Sequence, residues 1–219
     1  MSNKAGKAYG MTLLCPIKGD KSDASFGDIT RDRLEDLPLD DKSPMSKIPD
    51  TYLCRFYILD DIKYQGYPAQ EEHLKSRYLV FCTNFHGKRD DYLKNMWEAI
   101  EHDVQHIWEY CVAFDRVKTA QDFVTYAKKC QVWNNLFFNG STDDSLAEQL
   151  KALYLKQEFS RFAFNNHGAS AADLQKAFQN FITIVQPDNL QKPSWVPGMT
   201  QEHSHHHYTS HLHPHARRP

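Results

Sequence analysis

Along the chain, runs of apolar residues alternate with stretches where apolar positions recur every three or four residues. Tyr78-Leu79-Val80-Phe81-Cys82 is an unbroken apolar run, and Asn84-Phe85-His86-Gly87 reads as the turn that closes it. Beyond Asp90-Asp91, Leu93, Met96, Trp97, Ile100, Val104, Ile107, Trp108 and Cys111 follow at helical spacing, which predicts one long amphipathic helix. Upstream, Met11–Ile17 and Tyr52–Leu59 read as strands, and Ser25–Leu37 as a modest helix. The latter strand is apolar on two sides, with Phe56 and Ile58 on one and Tyr57 and Leu59 on the other. The intervening Pro38, Pro44 and Pro49 mark an exposed loop. Residues 60–77 form a long connection of the kind that serves as a lid or binding loop, or carries one helical turn over Ala69–Lys75.

Downstream, Thr119 and Asp122 have capping-box spacing for a short helix bearing Phe123, Val124, Ala127 and Cys130. Asn135–Phe138 reads as a fourth strand. Thr142 or Asp143 caps a further helix with Leu146, Leu150, Leu153, Tyr154, Phe159 and Phe162 inward. Asn165-Asn166-His167-Gly168 ends it, and Ser170–Asp173 opens a last helix striped by Leu174, Ala177, Phe178, Phe181, Ile182 and Val185. The order predicts an α+β protein with a ferredoxin-like split βαβ core, a four-stranded antiparallel sheet, and extra C-terminal helices. Residues 1–185 form that domain; 186–219, interrupted by prolines and rich in histidine, form a disordered tail. Strands apolar on both faces require a cover for the second face: the C-terminal helices, a second subunit, or a bound apolar molecule.

Composition narrows the function classes. A net charge of −2 with no basic stripe argues against nucleic acid. Five cysteines at 15, 54, 82, 111 and 130 lack zinc-knuckle or CxxC spacing, and their odd number favours a reducing compartment. The first apolar stretch is short and broken by Pro16, unlike a signal peptide or membrane span, so a cytoplasmic protein is expected. No G-x-S-x-G, P-loop or G-x-G-x-x-G motif is present, which disfavours serine-hydrolase and nucleotide chemistry.

Arg55-Phe-Tyr-Ile-Leu-Asp60 and Tyr78-Leu-Val-Phe-Cys-Thr-Asn-Phe-His-Gly87, with Tyr92-Leu93 in the following helix, resemble a pattern in a group of poorly characterised bacterial proteins. The similarity runs loosely from Gly10 to about Val185. Such proteins are similar to the dimeric α+β barrel group, which includes dye-decolorising peroxidases, chlorite dismutase-like haem proteins and small cofactor-free monooxygenases. The resemblance implies a dimer and haem or apolar-ligand chemistry by fold analogy. The chain departs from the pattern at His86, where the acidic turn residue belongs, and lacks the G-x-x-D-G motif of dye-decolorising peroxidases. A peroxidase mechanism does not carry over.

The candidate chemistry is dispersed. Asp60-Asp61 at a strand end, with His73 and Lys75 in the following loop, read as a small polar site with His73 as its acid–base group, and Arg55 starts a central-sheet strand. His86 and His167, each in a turn beside glycine, are the imidazoles available to a haem, with Arg55 as a distal group. His102-Asp103-Val104-Gln105-His106 imitates a zinc H-E-x-x-H, but it lies off the buried stripe. In the tail His203, His205, His206, His207, His211, His213 and His215 are dense enough to chelate divalent metal. Two readings follow: an α+β barrel protein, oxidoreductase or carrier, that holds a small apolar or haem-type ligand; or a non-catalytic accessory or assembly subunit using its sheet face as an interface.

Overall fold

Two long strands, β2 (Ala8–Pro16) and β4 (Tyr78–His86), pair antiparallel over their full lengths and form the middle of the sheet. The computed structural model describes residues 3–19, 25–39, 42–141 and 143–186. Strand β3 (Thr51–Leu59) pairs antiparallel with β4, with an irregularity between Thr51 and Leu53. The other edge of β2 is shared by two short strands, β1 (Lys4–Ala5) near its start and β5 (Gln131–Val132) near its middle.

Two strand assignments differ from the sequence pattern. β4 continues through Asn84-Phe85-His86, because Phe85 alternates inward and stacks on Tyr9 and Tyr92; the turn begins only at Gly87, with φ 99°. The fourth strand is Gln131–Val132 rather than Asn135–Phe138. There Phe137 lies over Gly10, with ring carbons 2.7 Å from where a Cβ on that glycine would stand. The 133–141 loop uses that ring to cover the sheet instead of pairing with it. Residues 60–77 contain a turn but no helix, so the Ala69–Lys75 helical turn is absent.

Helices α1 (Ser25–Glu35), α2 (Arg89–Trp108) and α3 (Ala120–Cys130) contribute to one core against one sheet face. Alternation sends Met11, Leu13 and Cys15 of β2 and Leu79, Phe81 and Phe85 of β4 into it. α2 presents the predicted stripe from Leu93 to Trp108 and bends at Ile100, whose φ/ψ of −142°/41° is not helical. α3 starts in the predicted capping box: Thr119 accepts from the Asp122 amide, and Asp122 accepts in return.

The C-terminal region is a helical hairpin. α4 (Leu146–Asn165) is capped by Ser145, not by Asp143, in a second capping box with Glu148; Thr142 lies outside the described residues. Gly168 turns the chain at φ 81°, and Ser170 caps α5 (Ala171–Val185). The two helices meet through Phe159, Phe162, Phe178 and Phe181. Of the expected inward residues on α4 only Leu150 is buried; Leu153 and Phe159 are half exposed. On α5 only Phe181 is buried. Residues 187–219, including the seven tail histidines, lie outside the described residues.

Candidate functional site

The face of the sheet turned away from α1–α3 carries two of the predicted groups. Registry places Thr12, Cys82 and Arg55 in one row across β2, β4 and β3, with Val132 beside Thr12 at the edge. Adjacent rows hold Leu14, Val80 and Tyr57, then Gly10, Asn84 and Leu53, and His86 extends the β4 column. The face is closed at its centre, where Val80 is buried and Phe137 covers Gly10. It is open along β3, where Leu53 is 61% exposed and Tyr57 45%. Arg55 is exposed between them on that strand.

His86 is held at the strand end by Tyr52, whose hydroxyl lies 2.9 Å from Nδ1 and donates to the Asp144 carbonyl at 3.1 Å. A carbonyl only accepts, so the single phenolic hydrogen goes to Asp144 and His86 donates from Nδ1. Burial, followed by the Asp50 and Asp143 carboxylates, pushes the Tyr52 phenol up, which keeps that hydrogen in place.

Asp60 and His73 have different partners. Asp60 accepts both oxygens' bonds from Arg31, at 2.9 and 2.8 Å, with Arg77 at 3.4 Å. The same two arginines reach Asp28; Arg77, and then Arg31, hold its carboxyl below the usual range. This network ties α1 to the ends of β3 and the following loop, and Asp60 is a structural anion within it. His73 bonds instead to Asp61, with Nδ1 2.8 Å from Oδ2. Asp61 Oδ1 also accepts the amides of Ile62 and Leu74, so one carboxylate pins both ends of the 62–74 loop. An Asp–His pair of this kind orients an imidazole. Here the ring is 60% exposed on the loop, with Glu71 3.7 Å from Nε2. Asp61→Ala is expected to speed amide exchange at Leu74 about tenfold, the equivalent of one lost hydrogen bond. Exchange measured by NMR checks this, and an unchanged Leu74 rate would refute the pinning role.

A group unseen in the sequence is the meeting of three of the five cysteines. Cys15, on β2, neighbours the thiols of Cys111 and Cys130, and Trp108 Nε1 donates to its sulfur at 3.4 Å. Contact with the Cys111 thiol, and then burial, push the Cys15 thiol up to about 12. The Cys130 thiol is likewise raised, by Cys15 and by burial. Thiols that hold their protons are weak nucleophiles, which makes this cluster core packing. The only sequence cue was that Cys15, Cys111 and Cys130 each end an apolar segment.

His102 and His106 stack on the exposed side of α2, rings 6.2 Å apart. His167 is exposed in the α4–α5 turn. Among the described residues no three His, Cys, Asp or Glu side chains are grouped to hold a metal ion, and no helix is long and apolar enough to cross a membrane. His86, His167 and Arg55 stand on separate elements, and the layer between sheet and α1–α3 is filled by Phe81, Trp108 and Phe123. Of these, Arg55 and His86 lie on the sheet face turned away from that layer. No known protein family, curated protein or solved structure matches the chain.

Proposed function

We propose that the protein is a non-catalytic accessory or assembly subunit: a ferredoxin-like platform carrying a helical hairpin that binds another protein chain. The platform reading is supported by the antiparallel order β5-β2-β4-β3. α1 connects β2 to β3, while α2 and α3 connect β4 to β5, the connectivity of a split βαβ. The ligand-carrier reading needs room between sheet and helices, and aromatic rings occupy that layer: Trp108 packs edge-on against Phe56, Phe81 and Phe123. Arg55, Asp60, His73 and His86 do not share a single reaction centre in this reading.

The observation that carries the interface reading is α5. Its apolar stripe runs from Leu174 to Val185, yet Phe181 is its one buried side chain. A helix of this length is marginal in water unless its apolar face is packed. The stripe therefore needs a cover beyond α4. Carbene footprinting of Leu174, Phe178 and Ile182 tests this. These side chains are expected to be shielded in concentrated extract of the producing cells and labelled in pure protein diluted to nanomolar concentration. Equal labelling in both would refute the interface.

A further inference from the structure

We infer that the chain seated on the α4–α5 hairpin is a second copy of this protein, two hairpins closing an antiparallel four-helix bundle about a twofold axis. This inference rests on the interface reading above and names its occupant.

The hairpin is a built element rather than a loose end. Both helices have side-chain N-caps, at Ser145 and Ser170, and the turn between them uses Gly168 in a left-handed conformation. Its own seam is aromatic, with Phe162 and Phe181 rings 5.0 Å apart at the centre. That seam leaves apolar rows unfinished. On α5, Leu174, Phe178 and Ile182 are spaced i, i+4, i+8 and are 42%, 45% and 45% exposed. On α4, Leu155 and Phe159 are 48% and 52% exposed at the same spacing. Rows spaced by four residues are the ridges that pack into grooves of a neighbouring helix.

Two considerations select a second copy. First, the area is right. The five row side chains, 42–52% exposed, represent roughly 450 Å² of apolar surface, taking 150–250 Å² as the full burial of a large side chain. A stable pair buries about 800 Å² on each partner, a little over half of it apolar. Second, the rows carry no charge, so they offer nothing to a partner recognised by its acids or bases. An uncharged face built from repeated Leu, Ile and Phe on two antiparallel helices is self-complementary, as a twofold contact requires. A monomeric two-helix hairpin has one interhelical seam; a bundle gives each helix two neighbours and covers both flanks of the α5 stripe.

Sedimentation equilibrium of the full chain, from about 0.1 to 100 µM, is the test. The expected species is twice the chain mass of 25.5 kDa. Phe178→Ala is expected to weaken the dimer by about 30-fold or more, as truncation of a central aromatic anchor does. Leu174→Gln combined with Ile182→Gln is expected to act in the same direction, and it spares the aromatic seam should Phe178→Ala lose helicity by circular dichroism. Leu136→Gln, at an exposed position outside the hairpin, is expected to leave the dimer unchanged. A chain that stays monomeric at 100 µM overturns the second-copy assignment, as does a dimer indifferent to both hairpin variants. If the monomer's α5 row is still shielded in extract, only the occupant named here is wrong; if the row is never shielded, the interface reading falls with it.

Discussion

Replacing Trp108 by alanine is expected to lower the free energy of unfolding by about 3–5 kcal/mol, the range for deleting a large buried aromatic. The residue is the hub of the main core. It is fully buried at the end of α2, and its indole meets Phe56 of β3, Phe81 of β4, Phe114, and Phe123 of α3 at centroid distances of 5.5, 5.6, 6.4 and 5.6 Å. Its ring nitrogen also donates to Cys15 of β2. One side chain thus joins three strands and two helices, and its neighbours cannot collapse into the vacancy without moving those elements. Trp108→Phe keeps most of the volume but strands the Cys15 contact, and about half the penalty is expected. Urea titration followed by circular dichroism reads both variants. A loss under 1 kcal/mol for Trp108→Ala would show that the layer between sheet and helices is loosely filled, reopening the ligand-cavity reading.

The second large effect is a steep loss of stability in alkali. The Cys15 thiol is pushed up to about 12 from an ordinary 9.0 by the Cys111 thiol and by burial. Tyr92 is pushed up to about 12 from 10.0, chiefly by burial, despite its hydroxyl contacts with Thr51 and Thr83 at 3.1 Å. In both groups the native state keeps a proton that the unfolded chain releases. Their contribution is complete below the unfolded values and drains away as pH climbs to the folded ones: between 9 and 12 for Cys15, and between 10 and 12 for Tyr92. At about 1.4 kcal/mol per pH unit and group, Cys15 accounts for about 4 kcal/mol by pH 12 and Tyr92 for about 3. Tyr126 and Cys130, also raised, act in the same direction. Urea midpoints at pH 8, 10 and 11.5 are expected to fall progressively. Cys15→Ala and Tyr92→Phe should each flatten that fall while costing stability at pH 8. Parallel slopes in variants and wild type would show that neither group governs the alkaline limb.

Most of the secondary structure was legible because local physics dominated it. The α2 stripe, the Thr119–Asp122 box and the glycine at 168 each require one conformation whatever surrounds them. The errors fall where tertiary contacts outweighed a local cue. Asn84-Phe85-His86 has turn-forming character, but Phe85 buries its ring between Tyr9 and Tyr92, and that burial extends the strand. Asn135–Phe138 has strand composition, but β2 gives its edge to Gln131–Val132 and Phe137 packs over Gly10. The candidate chemistry fared differently. Asp60 and Asp61 are adjacent in sequence, yet opposite in duty: one is clamped by Arg31 and Arg77, the other orients His73. No spacing rule distinguishes them, because the arginines arrive from α1 and from the start of β4.

The amino-acid order by itself determined the long helices and the three long strands, since the periods of 2 and 3.6 record which side of each element must leave water. It also determined where most helices begin, because a cap is a bond between near neighbours. Only the tertiary structure decided that three distant cysteines share one core, that Asp61 rather than Asp60 holds His73, and that α5 buries one side chain of its stripe. Those facts depend on which elements pass close to one another, and that proximity is settled by packing a whole core, which no short stretch of the chain contains.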